Sequence, residues 1–125
     1  MLNHGGREHN PFPFQKPYDM ELAKYILSIL RTELMVVLSW GFHGAKVIEN
    51  GISFLVQGYK HTGRVEVVYD EGWDLFNVST INRDGTLKEE QEGIYADGLV
   101  STIDAMVEKT DDYKERVRRD YSLNG

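Results

Sequence analysis

Ala45-Lys46-Val47-Ile48-Glu49-Asn50-Gly51-Ile52-Ser53-Phe54-Leu55-Val56-Gln57-Gly58-Tyr59 is the stretch on which the fold turns. Two runs with strand character, Ala45 to Glu49 and Ile52 to Tyr59, flank Asn50-Gly51. Asn-Gly between such runs is the strongest short hairpin signal, because a tight two-residue turn needs positive φ at both positions. Further along, Arg64 to Asp70 follows Lys60-His61-Thr62-Gly63, and it alternates, with Val65, Val67 and Tyr69 on one face and Glu66 on the other. Asp74 to Asn82 follows Glu71-Gly72. Short links and alternation predict an antiparallel meander with one face on the helices. Asn82-Arg83-Asp84-Gly85 is a turn. Thr86 to Glu92 then reads as a loop or as a fifth, short strand; the Asp84-Gly85 turn favours the strand, with Gly93 ending it.

Before the hairpin, the spacing predicts one helix from Pro17 or Asp19 to about Trp40. Pro suits a first-turn position, Asp favours the positive helix end, and Gly41 can end the helix in the left-handed conformation. At 100° per residue Leu22, Tyr25, Ile26, Ile29, Leu30, Val36, Val37 and Trp40 share one face, which Leu27, Leu34 and Leu38 widen. An arc this wide predicts contact with more than one layer. Glu33 falls inside it and is the candidate buried ionisable group, since a carboxylate there must be paired, reach water or hold a raised pKa.

After the sheet, Leu99, Ile103, Met106, Val107, Thr110, Tyr113, Val117 and Tyr121 fall on one side of a helix beginning near Tyr95. A continuous helix to Tyr121 would be about 40 Å long, against roughly 20 Å for a six-residue strand. It therefore breaks near Thr110-Asp111 or overhangs the sheet. The sequence as a whole predicts an α+β fold: an N-terminal helix, a meander of four strands (five with Thr86 to Glu92) and a long C-terminal amphipathic helix packed on one face. Residues 1–16, polar and rich in Gly and Pro, read as a flexible arm; residues 17–125 read as one domain.

Composition narrows the function. The 125 residues hold 14 Lys and Arg against 20 Asp and Glu, a net charge of −6, and no cysteine. That excludes disulfides, thiol catalysis and cysteine-held metal, and it argues against nucleic acid and anionic membranes as partners. With no signal-peptide core in the first residues and Arg31 and Glu33 interrupting the most apolar stretch, a cytoplasmic protein with no membrane association is expected. No cofactor is predicted: P-loop, dinucleotide and nucleophile-elbow patterns are absent. No metal is predicted either. His4, His9, His43 and His61 lack ligand spacing, and a calcium loop over Thr80 to Gln91 lacks both anchoring carboxylates. No catalytic constellation emerges.

The element order resembles that of the double-stranded-RNA-binding domain in topology alone. Tyr95-Ala96-Asp97-Gly98 stands where a lysine-rich start of the last helix would be, and the chain is assigned to no family. The expectation is a small non-enzymatic protein-interaction domain, with a protein partner or with itself as a homodimer. The candidate interaction residues are Phe12 and Phe14 of the arm, Trp73, and Tyr113, Val117 and Tyr121 of the last stripe. Trp73, flanked by Asp70, Glu71 and Asp74, either folds back on its own sheet or stands out as an anchor suited to a basic partner. The first alternative is nucleic-acid binding through Lys114, Arg116, Arg118 and Arg119, with Lys109 nearby. The second is a small-ligand or enzyme site at the helix–sheet interface, which requires Glu33 to line a pocket.

Overall fold

A computed structural model describes residues 18–109. The order is helix α1 (Met20–Arg31), helix α2 (Leu34–Ser39), strands β1 (His43–Ile48), β2 (Gly51–Gln57), β3 (Thr62–Asp70), β4 (Leu75–Ile81) and β5 (Leu87–Ile94), a 3-10 turn (Ala96–Gly98) and helix α3 (Leu99–Val107). The α+β class holds, and the strands form one antiparallel sheet in the order β1-β2-β3-β4-β5. Thr86 to Glu92 belongs mainly to the fifth strand, which continues to Ile94.

Asp19 opens α1 as its N-cap: the carboxylate accepts from the Glu21 and Leu22 amides at 2.8 and 3.3 Å, satisfying two of the helix's orphan donors. The single helix expected up to Trp40 is two. Thr32 caps α1, its hydroxyl donating to the Ile29 carbonyl at 2.6 Å, and the Thr32 and Glu33 amides close on Ile29 and Leu30. Glu33 leaves the helix at φ −134, ψ 58. The apolar arc is therefore split. Leu22, Ile26, Leu30, Val37 and Trp40 are buried, while Leu34, Met35 and Leu38 face water.

The first hairpin differs from expectation by one residue. Ile48 pairs with Gly51, so the turn is Glu49-Asn50, with only Asn50 at positive φ. Gly51 is instead the first residue of β2, and its missing Cβ lets β3 approach.

One hydrophobic cluster gathers Leu22, Ala23, Ile26 and Leu30 of α1, Val37 and Trp40, the inward residues of β2, β3 and β4, and Leu99, Val100, Ile103, Met106 and Val107 of α3. Trp40 lies parallel to Phe54, rings 6.4 Å apart, and its indole N–H donates to Asp104 of α3 at 2.9 Å. On the other face the register lines up a polar row across all five strands: Lys46, Ser53, Glu66, Ser79 and Glu90.

Helix α3 ends at Val107, two residues before the described chain does; whether the helical stripe resumes past Thr110 lies outside the described residues. Its last carbonyls are met by the β2–β3 connection. The Lys60 and His61 amides both donate to Val107, the Lys60 ammonium to Ala105, and the Glu108 carboxylate accepts from the Tyr59 amide. Cationic and N–H donors at a helix C-terminus meet its negative end.

His61 sits in this joint at 2% exposure. Its Nε2 lies 3.1 Å from the Arg64 carbonyl, so Nε2 carries the proton, and Nδ1 is buried with no hydrogen-bond partner among the described residues. Burial holds the ring's pKa below the ordinary 6.5, and nearby Lys88 pushes the same way against the bond to Arg64. The unfolded chain therefore binds the proton more readily. Stability from this group is complete above pH 6.5 and falls as the pH drops through the window below it. Urea unfolding between pH 7.5 and 5.5 should show a decline in midpoint that a His61→Asn variant does not share; parallel declines would contradict this.

Candidate functional site

The β3–β4 turn is built to hold an indole away from the body of the protein. The Asp70 carboxylate accepts from the Gly72 amide at 3.0 Å and its carbonyl from the Trp73 amide at 3.3 Å. Asp74 adopts positive φ, +56°, and takes a 2.7 Å hydrogen bond from the buried Tyr69 hydroxyl. Burial, and then that carboxylate, push the Tyr69 phenol well above its ordinary pKa of 10.0, so it remains a donor. Both ends of the turn are thus fixed by side chains, and Trp73 between them is 78% exposed. Of the two readings of Trp73, folded back or standing out, the side chain stands out.

A cleft of about 350 Å³ opens beside it, lined by Asp70, Trp73, Leu75, Asn77, Glu92 and Gly93. Glu92 arrives there through a β-bulge: Phe76 pairs with Ile94 and Val78 with Gln91, leaving one extra residue on β5. Gly93 takes the left-handed backbone, φ +72°, and donates its amide to the Asn77 side chain at 3.1 Å. The cleft wall therefore carries one large exposed π-face and two carboxylates, Asp70 and Glu92, with Glu71 and Asp74 in the adjoining turn. Its chemistry is that of a cation site. A Lys or Arg side chain can stack on indole and reach carboxylates at once.

The other predicted residues lie elsewhere. Glu33 is exposed in the break between α1 and α2, not buried in the arc, because the helix stops at Arg31 and the angular projection no longer applies. It lines none of the clefts described here. Phe12, Phe14, Tyr113, Val117, Tyr121, Lys114, Arg116, Arg118 and Arg119 lie outside the described residues; Lys109 lies inside and is exposed. A second exposed apolar group is Leu34, Met35 and Leu38 on α2, with Met35 at 79%. No helix among the described residues is long and apolar enough to cross a membrane.

Comparisons with protein-family models, with curated proteins and with solved structures find nothing that matches this chain.

Proposed function

We propose that this chain is a protein-interaction domain without chemistry of its own, which docks a basic segment of a partner protein on its Trp73 turn. The observation that carries the reading is an indole 78% exposed on a turn pinned by hydrogen bonds at both ends, with Asp70 and Glu92 in the same cleft. A turn held in this way loses little backbone freedom on binding, and Trp is enriched among residues that dominate interfaces. In this reading the helices shield one face of the sheet, leaving the polar face and its two ends to partners. The chain itself holds a segment of the right charge: residues 113–119 carry Lys114, Arg116, Arg118 and Arg119 against Glu115 alone. Helix α3 leaves the sheet beside the β2–β3 connection, the end opposite to Trp73. In a self-associating domain that run of one copy would meet the Trp73 turn of another.

The test uses Trp73 as its own reporter, since Trp40 is buried. A synthetic peptide of residues 113–119, added at low salt, should shift or quench the exposed indole's emission saturably, and added salt should reverse the effect. Glu92→Gln, which keeps the reporter, should weaken the response while changing stability by no more than about 0.5 kcal/mol, as for other surface positions. Emission unmoved by the peptide at low salt would overturn the reading.

A further inference from the structure

The opposite end of the polar face carries a second cleft of inverse charge, and we propose that it binds a phosphate dianion, as inorganic phosphate or as a phosphate monoester. Its volume is about 300 Å³, and among its lining residues are His43, Gln57, Thr62, Arg64, Asn82 and Arg83. No carboxylate is among the described residues that line it, in a chain whose 20 Asp and Glu outnumber its 14 Lys and Arg. Such a local reversal places two guanidinium charges where the chain's overall charge would oppose an anion.

The sheet assembles this site from distant parts of the sequence. Register puts His43 beside Leu55 and Leu55 beside Arg64, one strand spacing apart each time. His43 and Lys46 are three residues apart, so regular alternation would send them to opposite faces. Their partners Leu55 and Ser53 are only two apart, so β1 holds one extra residue between them. Gly44, at φ +63°, takes the left-handed backbone within this bulge. The bulge thereby brings the imidazole to the same face as Arg64. Arg83 comes from the β4–β5 turn, where Asp84 is occupied: its carboxylate accepts from the Thr86 amide and hydroxyl at 3.0 and 2.7 Å.

The donors fit the ligand. Arg64 spends its Nε on Glu66, at 3.1 Å, leaving its two terminal nitrogens. Guanidinium forks match phosphate oxygens two at a time. His43 Nδ1 lies 2.7 Å from the Gly41 carbonyl and so carries its proton there. In the neutral ring Nε2 is left as an acceptor, which can take a hydrogen bond from the hydroxyl of inorganic hydrogen phosphate but has no such donor to meet in a monoester dianion. Arg83 has no ion pair among the described residues, while Arg64 shares its charge with Glu66; together the two forks suit an anion with several oxygens to offer. The volume lies at the lower bound for small-molecule sites, which limits the ligand to a compact one.

The test is an amide chemical-shift titration of the full chain with inorganic phosphate and, separately, with glycerol 2-phosphate, against sodium chloride at matched ionic strength. Saturable shifts at His43, Thr62, Arg64 and Arg83 are expected from a phosphate and not from chloride, and the tighter of the two ligands identifies the natural form. Arg83→Ala, at an exposed turn position, should weaken binding about tenfold, the usual worth of one charge-assisted contact, with thermal stability unchanged. Arg64→Gln should weaken it at least as much. Shifts no larger than those from chloride, or affinity unchanged in Arg83→Ala, would overturn the proposal.

Discussion

Trp40→Ala is expected to lower the stability of the fold by about 3–5 kcal/mol, the range for truncating a large buried aromatic. The whole stability of a domain this size is about 5–15 kcal/mol, so the variant should stand at the edge of unfolding. Three losses coincide. The indole is fully buried, so its removal opens a cavity between helix and sheet. It lies parallel to Phe54, which also packs against Phe42 at 4.6 Å between ring centroids, so the aromatic group that joins α2 to β2 comes apart. Its N–H is the donor to Asp104 on α3, and a half-buried carboxylate is left without it. The main-chain bond from the Gln57 amide to the Trp40 carbonyl survives any side-chain change. Trp40→Phe should therefore cost distinctly less, keeping the ring contact while losing the hydrogen bond. Urea unfolding followed by circular dichroism separates the cases. Equal midpoints for the wild type and Trp40→Ala would show that the residue does not join the helices to the sheet.

Gly51→Ala should be nearly as damaging, for a reason of geometry rather than burial energy. A Cβ at this position would stand 1.8 Å from the Val67 carbonyl oxygen and 2.9 Å from its carbon. Both atoms are backbone, so no side-chain rotation relieves the clash, and β2 and β3 must separate at the Gly51–Val68 pair. Overpacking of this kind costs about 1–3 kcal/mol in ordinary cores and more where only backbone can move. A loss of at least about 3 kcal/mol is expected here. Gly98→Ala provides the comparison: nothing lies within 4 Å of its added Cβ, and its φ of −104° suits an L-residue. That change should stay within about 1 kcal/mol of wild type. If both substitutions prove equally mild in thermal melts, the pairing of β2 with β3 described here is incorrect.

These two residues show what the sequence revealed and what it concealed. Asn50-Gly51 marked the hairpin, and the clean alternation of Val65, Val67 and Tyr69 marked a half-buried strand. Yet Gly51 proved to be there for interstrand approach, a tertiary demand that turn chemistry alone does not express. Asp19 was readable as a helix start because its carboxylate acts within three residues. The break after Arg31 was not, because helical periodicity continues in phase across it. Thr32 is not a sufficient signal, since Ser28 makes the same hydroxyl bond to the preceding turn inside α1, and with the break went the case for a buried Glu33.

The candidate sites divide in the same way. Trp73 between Asp70 and Asp74 was visible as an aromatic among acids, since all three lie in one turn. Its exposure depended on Asp74 being engaged by Tyr69, five residues away. The cleft of His43, Arg64 and Arg83 could not be read in advance. Its members are scattered over forty positions, and only register, shifted by a bulge at Gly44, sets them on one face. An isolated glycine in a strand pattern is the signal for such a bulge, and both Gly44 and Gly93 carry it. The clefts they help to shape hold opposite charge at opposite ends of the sheet.

The most direct measurement is amide shift mapping of the labelled chain with the unlabelled peptide of residues 113–119 at low salt. Saturable shifts confined to residues 70–75 and 92–93, lost on adding salt and lost in Trp73→Ala, are the predicted result. Shifts centred on Leu34, Met35 and Leu38, or none anywhere, would contradict the assignment of the Trp73 turn as the docking end.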